Sequence, residues 1–330
     1  MRMLEDYLKP PQRELFNLLS EKYRNKALIN EGGYILIQGK APIMLLAHLD
    51  TVHQKPVKQI CKSPDGNILM SPQGIGGDDR CGVYALVKAH EASPIKPWLL
   101  FTCDEEIGGV GADIFAEEHN KGRLPKDLDT LKLLIEIDRK GSRDAVYYDC
   151  DNQEFEKYIT SKGFVTAFGS FSDISIVAPE LGVAAVNLSS GYYNAHTLHE
   201  YINRKQLEAV IQKVIGIIAD AVKPDFPKYK YIKCAQKFIQ TSSAWNKIYS
   251  TWKFSDNTTV SAPKDLPADL VGMYLDLLDI YPKSVLDEYR KEYGDWVITH
   301  IYEDEFGSLY GIDDVSEDEW HGLRKENETL

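Results

Sequence analysis

Five positions in the chain carry side chains suited to holding divalent metal ions: His48, Asp78, Glu106, Asp138 and His196. In His48-Leu-Asp50 a ring and a carboxylate stand two residues apart after an apolar run, and strand alternation directs such a pair to one face. The carboxylate can then orient the imidazole through its second nitrogen. A lone histidine after a buried strand is more often merely packed, so the triplet needs company. Asp78-Asp79, in the glycine-rich loop 74–82, supplies it, because adjacent carboxylates repel unless a cation compensates. Asp79 suits the N-cap of the helix that follows, which leaves Asp78 free to bridge two ions. In Asp104-Glu-Glu-Ile107 consecutive side chains diverge, so Glu106 can bind metal while Glu105 faces a water. That division suits metal-assisted hydrolysis, in which the ion acidifies a water and a carboxylate accepts its proton. Asp138 directly follows an apolar run, and His196 lies in Asn194-Ala-His-Thr-Leu-His-Glu200. Each has a plain reading as a turn or cap; five in succession are harder to dismiss.

The elements that must position these residues follow from hydrophobic periodicity. Apolar runs predict strands at Tyr34–Ile37, Ile43–Ala47, Asn67–Met70, Trp98–Thr102, Lys132–Ile137, Val146–Tyr148 and Val183–Leu188. Helical spacing predicts helices from about Pro11 to Tyr23, and at Cys81–Ala92, Ala112–His119, Gln153–Ser161, Phe171–Ala178 and Gln206–Val222. This alternation predicts an α/β fold, a three-layer αβα arrangement around a mixed, largely parallel sheet. Such sheets bind ligands beyond the carboxyl ends of their strands, where most of the five residues fall. Pro224-Asp-Phe-Pro227 suggests a catalytic domain over 1–224 and a mostly helical C-terminal extension over 225–330. Within the extension, helices are expected at Leu270–Tyr281 and Val285–Tyr293, and an exposed acidic end at 313–319.

Bulk properties exclude several classes. No apolar run approaches the roughly 20 residues needed to cross a bilayer, and the first residues lack a signal-peptide pattern. The five cysteines form no Cys-x-x-Cys pair, so neither a disulfide framework nor a thiolate metal site is expected, and a reducing cytoplasm fits best. The net charge of −12 is local: from Asp256 onward there are 19 acids and 6 bases, leaving 31 acids and 32 bases elsewhere. It therefore carries no information about substrate. The lysine- and aromatic-rich stretch 227–255 contains no acid, yet it carries no nucleic-acid-binding motif, and no such partner is expected.

His48-Leu-Asp-Thr-Val52 resembles the His-x-Asp-Thr-Val signature of the two-zinc exopeptidases and deacylases. Gly77-Asp-Asp-Arg-Cys-Gly82 is similar to their Gly-Ala-Asp-Asp-Lys-x-Gly, and Phe101-Thr-Cys-Asp-Glu-Glu-Ile-Gly108 to their Phe-Thr-x-Asp-Glu-Glu-x-Gly. Phe171-Ser-Asp-Ile resembles their Thr/Ser-Asp-Ala motif, and His196-Thr-Leu-His-Glu200 their final His-Ser/Thr-x-x-Glu. The resemblance implies one zinc on His48 and Asp138, another on Glu106 and His196, and Asp78 between them. It makes Glu105 the general base and Asp50 the group that orients His48. Two divalent ions are implied, zinc foremost, with cobalt or manganese as alternatives. The implied activity is cleavage of peptide or small amide substrates, as an aminopeptidase or dipeptidase. An N-acyl amino acid deacylase with the same site, or a silent binding scaffold, are the other readings. Many relatives insert a lid domain of about one hundred residues. Here the intervals 48–78 and 138–196 are too short for one, so a lidless form is expected.

Overall fold

The structure, a computed structural model, describes residues 3–233 apart from 54, 168 and 170, and 262–302 apart from 268, 269, 279–282, 296 and 300. The chain divides into two compact units, Met1–Val260 and Ser261–Leu330.

The first unit is organised by four parallel strands: β3 (Ile43–His48), β6 (Trp98–Thr102), β7 (Leu133–Arg139) and β10 (Ala185–Ser189). They lie side by side in the order β6-β3-β7-β10, with β3 pairing β6 and β7, and β10 pairing β7, all in parallel. Antiparallel neighbours extend the sheet on both sides. β2 (Tyr34–Ile37) pairs β6 and carries β1 (Ala27–Asn30) outside it. β8 (Asp144–Val146) pairs β10 and carries β9 (Val165–Ala167). This eight-stranded sheet is mixed, with a parallel core.

Both faces are covered, so the central strands read as largely apolar runs rather than alternating, with Glu136 and Asn187 as buried polar exceptions. Side-chain alternation divides them between two cores. Ile43, Leu45 and Ala47 join Leu99, Phe101, Ile135 and Ile137 on one face. That face is packed by α2 (Gln12–Tyr23), α3 (Gly77–Ala92), α5 (Gln153–Thr160) and α7 (Arg204–Ala221). Met44, Leu46, Trp98, Leu100 and Leu134 face α4 (Val110–Asn120) and α6 (Ile174–Leu181). In α7, Leu207, Val210, Ile211, Val214, Ile217 and Ile218 are buried at the three- and four-residue spacing of one helical stripe. The side chain of Asn203 caps that helix by accepting the N–H of Gln206.

The architecture agrees with the αβα layering expected, and the differences are local. A short α1 (Glu5–Leu8) precedes α2. A second, antiparallel sheet joins β4 (Cys61–Lys62), β5 (Ile68–Met70), β11 (Tyr192–Tyr193) and β12 (Tyr201–Asn203) in the order β11-β12-β5-β4. The strand expected at Val146–Tyr148 lies earlier, because Tyr148 takes a left-handed φ of 50° that ends extended structure. The helix expected at Phe171–Ala178 begins only at Ile174.

The chain just past 224 packs with the first unit: Tyr229 is buried in its core, and Val183 bridges Lys230. In the second unit, α8 (Val271–Leu277) and α9 (Lys283–Tyr293) bury Tyr274, Leu277 and Leu286. The acidic run 313–319 and most of 227–255 lie outside the described residues. No helix among the described residues is long and apolar enough to cross a membrane.

One close approach fixes α4 against the sheet. A Cβ at Gly111 would lie 2.4 Å from the carbonyl oxygen of Gly33 and 2.6 Å from the amide nitrogen of Cys103. Both are backbone atoms and cannot swing aside. Gly111→Ala is therefore expected to destabilise the first unit by about 1–3 kcal/mol, read as a lowered urea midpoint. An unchanged midpoint would show that this approach does not constrain the fold.

Candidate metal centre

The four parallel strands end together, and the five predicted ligands gather at that end. His48 is the last residue of β3 and is 1% exposed. Asp138 is the penultimate residue of β7, Glu105 and Glu106 follow β6 in the loop before α4, and Asp78 opens α3. His196 comes from the loop joining β11 to β12, in the small second sheet.

Asp78 stands between the two imidazoles. Its Oδ1 is 3.1 Å from His48 Nε2, and its Oδ2 is 3.3 Å from His196 Nε2. His48 Nε2 also lies 3.5 Å from Asp138 Oδ1, and His196 Nε2 lies 3.1 Å from Glu106 Oε2. The result is two lobes, His48 with Asp138 and His196 with Glu106, joined by one carboxylate. Donor atoms about 2.0–2.1 Å from a shared tetrahedral zinc stand about 3.3 Å apart, so the observed separations suit such an ion in each lobe. Glu106 Oε1 is buried without a hydrogen-bond partner, as expected of an oxygen meant for another ligand. The nitrogen and oxygen donors belong to the set that zinc accepts.

The predicted supporting roles take a definite geometry. Asp50 Oδ1 lies 3.2 Å from His48 Nδ1, leaving Nε2 directed at the cluster. The same carboxylate accepts the backbone N–H groups of Glu105 (3.1 Å) and Glu106 (3.0 Å), tying the β3 and β6 loops together. Glu105 and Glu106 diverge: Glu105 Oε2 is 3.9 Å from His48 Nε2, whereas Glu106 turns to His196. Asp79 also lies within reach of an ion shared with His48 and Asp138. Its oxygens, however, accept the N–H of Gly82 (2.9 Å) and of His48 (3.3 Å), so it caps the regular part of α3.

Glu200 and a buried polar layer are further parts of the centre. Glu200 is fully buried and accepts the N–H groups of Gly76 and Asp78, each at 2.9 Å, while His53 Nε2 lies 2.9 Å from it. One carboxylate thus joins the loops that carry His48, Asp78 and His196. Behind Asp138, Asn187 Oδ1 accepts its N–H at 2.8 Å, and the Tyr192 hydroxyl donates to its carbonyl at 3.1 Å. Asn187 also donates to Ser172, whose hydroxyl donates to Glu136; Asp173 accepts from Thr102. A glutamate inside the otherwise apolar strand 133–137 was the readable sign of this layer. His199 stays exposed and meets its neighbours through its backbone.

Crowding of carboxylates sets the electrostatics. Burial, then Asp78, pushes Asp138 from 3.8 to about 8. Burial and a neighbouring carboxylate likewise push Glu136 and Asp173 to about 8. Glu105 and Asp79 are also raised well above the ordinary range, burial leading in each. Burial opposes protonation of the histidines, but their acidic neighbours outweigh it. His48 rises well above 6.5 and His196 to about 12. The same two cations overcome burial at Asp78 and hold its carboxylate ionised. Without metal, the cluster binds protons; divalent cations supply the charge those protons provide.

No family model and no curated protein sequence matches the chain. Among solved structures it is similar to a tripeptidase from Staphylococcus aureus, at 15% identity and a TM-score of 0.50, over 66% of this chain and 96% of that one. It is also similar to aminopeptidase PepT from Bacillus cereus (14%, TM-score 0.49, 67% and 98%). A third is an aminopeptidase from the archaeon Desulfurococcus kamchatkensis (15%, TM-score 0.48, 65% and 95%). The likeness is one of fold alone.

Two outcomes follow from this centre. Carboxyls titrating near 8 in the folded chain, against about 4 when unfolded, keep native protons that the unfolded state has lost. Native stability of metal-free protein should therefore fall as pH rises from about 5 to about 8, and bound metal should remove most of that fall. Thermal melts of chelated and remetallated protein at both pH values check this; equal midpoints would contradict the cluster. Separately, Glu200→Ala leaves two buried amide donors unpartnered beside Asp78 and should weaken metal binding roughly 10- to 100-fold. Wild-type affinity by calorimetric titration would show that Glu200 does not set the ligand geometry.

Proposed function

We propose that the chain is a metal-dependent exopeptidase, most simply an aminopeptidase or dipeptidase, that hydrolyses an amide bond at this centre. The observation carrying the reading is the Asp78 carboxylate placed between two imidazoles, each facing a further carboxylate of its own. His48, Asp138 and Asp78 would hold one divalent ion, and Asp78, Glu106 and His196 the other. Zinc fits the donors best, with cobalt or manganese as alternatives. When bound, such ions polarise an amide carbonyl and acidify water.

The remaining work falls to the chain's own groups. Asp50 fixes the ring orientation of His48 and, through two amide hydrogen bonds, the loop that carries Glu105 and Glu106. Glu105 is the general base: its carboxylate takes a proton from the attacking water and passes it to the departing amine. Burial raises its proton affinity, the direction that suits a carboxylate exchanging protons near neutral pH. Gly77 lets the Asp78 backbone come close to Glu200, since a Cβ there would lie 2.7 Å from Tyr192 Cβ and 3.1 Å from Glu200 Oε1.

Metal-loaded protein is expected to cleave a free-amine dipeptide and to leave its N-acetylated counterpart intact; cleavage of the acetylated form alone would favour a deacylase. Glu105→Gln should lower kcat by roughly 10² to 10⁴ while both metals remain bound, measured by metal analysis beside steady-state rates. Activity within a few-fold of wild type would remove Glu105 from the mechanism.

A further inference from the structure

A cavity of about 500 Å³ opens beside the metal centre, of the size that holds a small ligand. Asp50, only 9% exposed, and Glu106 are among the residues that line it. One wall is the N-terminal segment, where Leu8, Pro10 and Pro11 face the cavity. This segment is held from both sides. Arg80, itself 4% exposed, donates through Nη1 to the carbonyls of Tyr7 (3.0 Å) and Pro10 (2.8 Å). Gln12 Nε2 donates to Asp104 Oδ1 at 2.8 Å, in the loop that carries Glu105 and Glu106. The wall is therefore tied to two ligand-bearing loops. At the mouth, Ile107 is 75% exposed and Val52 39% exposed, aliphatic surface that a bound substrate would cover.

Charge along the cavity is graded. Its acids each have a polar partner: Asp50 has His48 and two amides, Asp104 has Gln12, and Glu106 has His196 through Oε2, while Glu106 Oε1 has none. His53, also on the wall, is engaged with Glu200. Lys9 and Lys55 line the cavity at exposed positions, and among the described residues neither has a hydrogen-bond or ion-pair partner. Two exposed, unpaired cations thus line a cavity whose acids each already have a polar partner.

We propose that this cavity holds the substrate residue next to the scissile bond, and that Lys9 and Lys55 select a residue bearing a carboxylate. The proposal rests on the exopeptidase reading above. The carboxylate has two possible sources, an acidic side chain or the free C-terminus of a dipeptide. Both would run their apolar atoms along Leu8, Pro11 and Val57 and meet the lysines at the far end.

The test compares matched peptides on the metal-loaded full chain. Glu-Gly-amide against Gln-Gly-amide reads the side chain, and Leu-Gly against Leu-Gly-amide reads the terminus. In at least one pair the carboxylate-bearing member should have the higher kcat/KM, by roughly tenfold for two exposed cations. Added salt should shrink that preference. The double variant Lys9→Glu with Lys55→Glu, at exposed positions that should not disturb folding, should abolish or invert it with metal content unchanged. Calorimetric titration with the same peptides and the metal-loaded Glu105→Gln variant gives a binding readout independent of turnover. If nothing is hydrolysed yet the carboxylate preference appears in binding, the exopeptidase reading fails and the pocket assignment survives. A preference under twofold in both pairs, or one that persists in the double variant, overturns the proposal.

Discussion

Burial of several carboxylates in one place is the constraint on which the rest of this molecule depends. Asp78, Asp79 and Asp138 come together with His48 at the ends of the central strands, with Glu136 and Asp173 fully buried behind them. Charges removed from water at this density are costly unless each meets a hydrogen-bond donor, a counter-charge or a proton. The chain supplies donors where it can: backbone amides for Asp50, Asp79 and Glu200, hydroxyls for Glu136 and Asp173. The oxygens still lacking partners, Glu106 Oε1 foremost, are those that a bound cation would satisfy.

The fold answers that constraint by separating stiffness from chemistry. The parallel strands are apolar and enclosed by helices on both faces, so their ends are fixed relative to one another to within packing tolerance. The candidate ligands sit at those ends, as His48 and Asp138 do, or beyond them on loops that would wander if left alone. Asp50 and Glu200 stop them from doing so, each by holding amides of a loop other than its own. His196 and Asp104 also take left-handed φ values of 63° and 58°, conformations that non-glycine residues hold only when their surroundings impose them. The precision of the centre therefore comes from cross-loop hydrogen bonds more than from any ligand's own geometry.

Much of this was legible in the order of residues because strand periodicity and ligand chemistry are both local. The runs at Ile43–Ala47 and Trp98–Thr102 announce buried strands, and the acids and histidines just beyond them announce the site. Of the second sheet only β5 was legible, from the run at Asn67–Met70; its pairing was not. Its strands have two or three residues each, and they are held by pairings such as Tyr201 with Met70, far apart in the chain. Glu200 shows the same limit. It stands in a recognisable motif, but its partners are backbone amides of Gly76 and Asp78, and no side-chain pattern marks an amide as available. The short strand after Asp144 was misplaced because a left-handed tyrosine, Tyr148, leaves no compositional trace.

The two intervals where a lid would be inserted show how a cavity beside the candidate metal centre can be built without one. Residues between His48 and Asp78 are taken up by the loop that carries His53, by β4 and β5, and by the turn into α3. Those between Asp138 and His196 form β8, α5, β9, α6, β10 and β11, all parts of the packed unit. Neither interval has chain to spare for covering the metal centre. The cavity wall comes instead from upstream of the first ligand, through the segment that Arg80 and Gln12 fasten in place. Arg80 belongs to the same short motif as Asp78, so a single turn of chain both presents a ligand and anchors the wall opposite it. Its guanidinium is enclosed, with Asp50 and Asp79 as its charged neighbours, which offset much of the burial that lowers its pKa to about 10. Substitution in that motif would therefore disturb the candidate metal site and the cavity shape together.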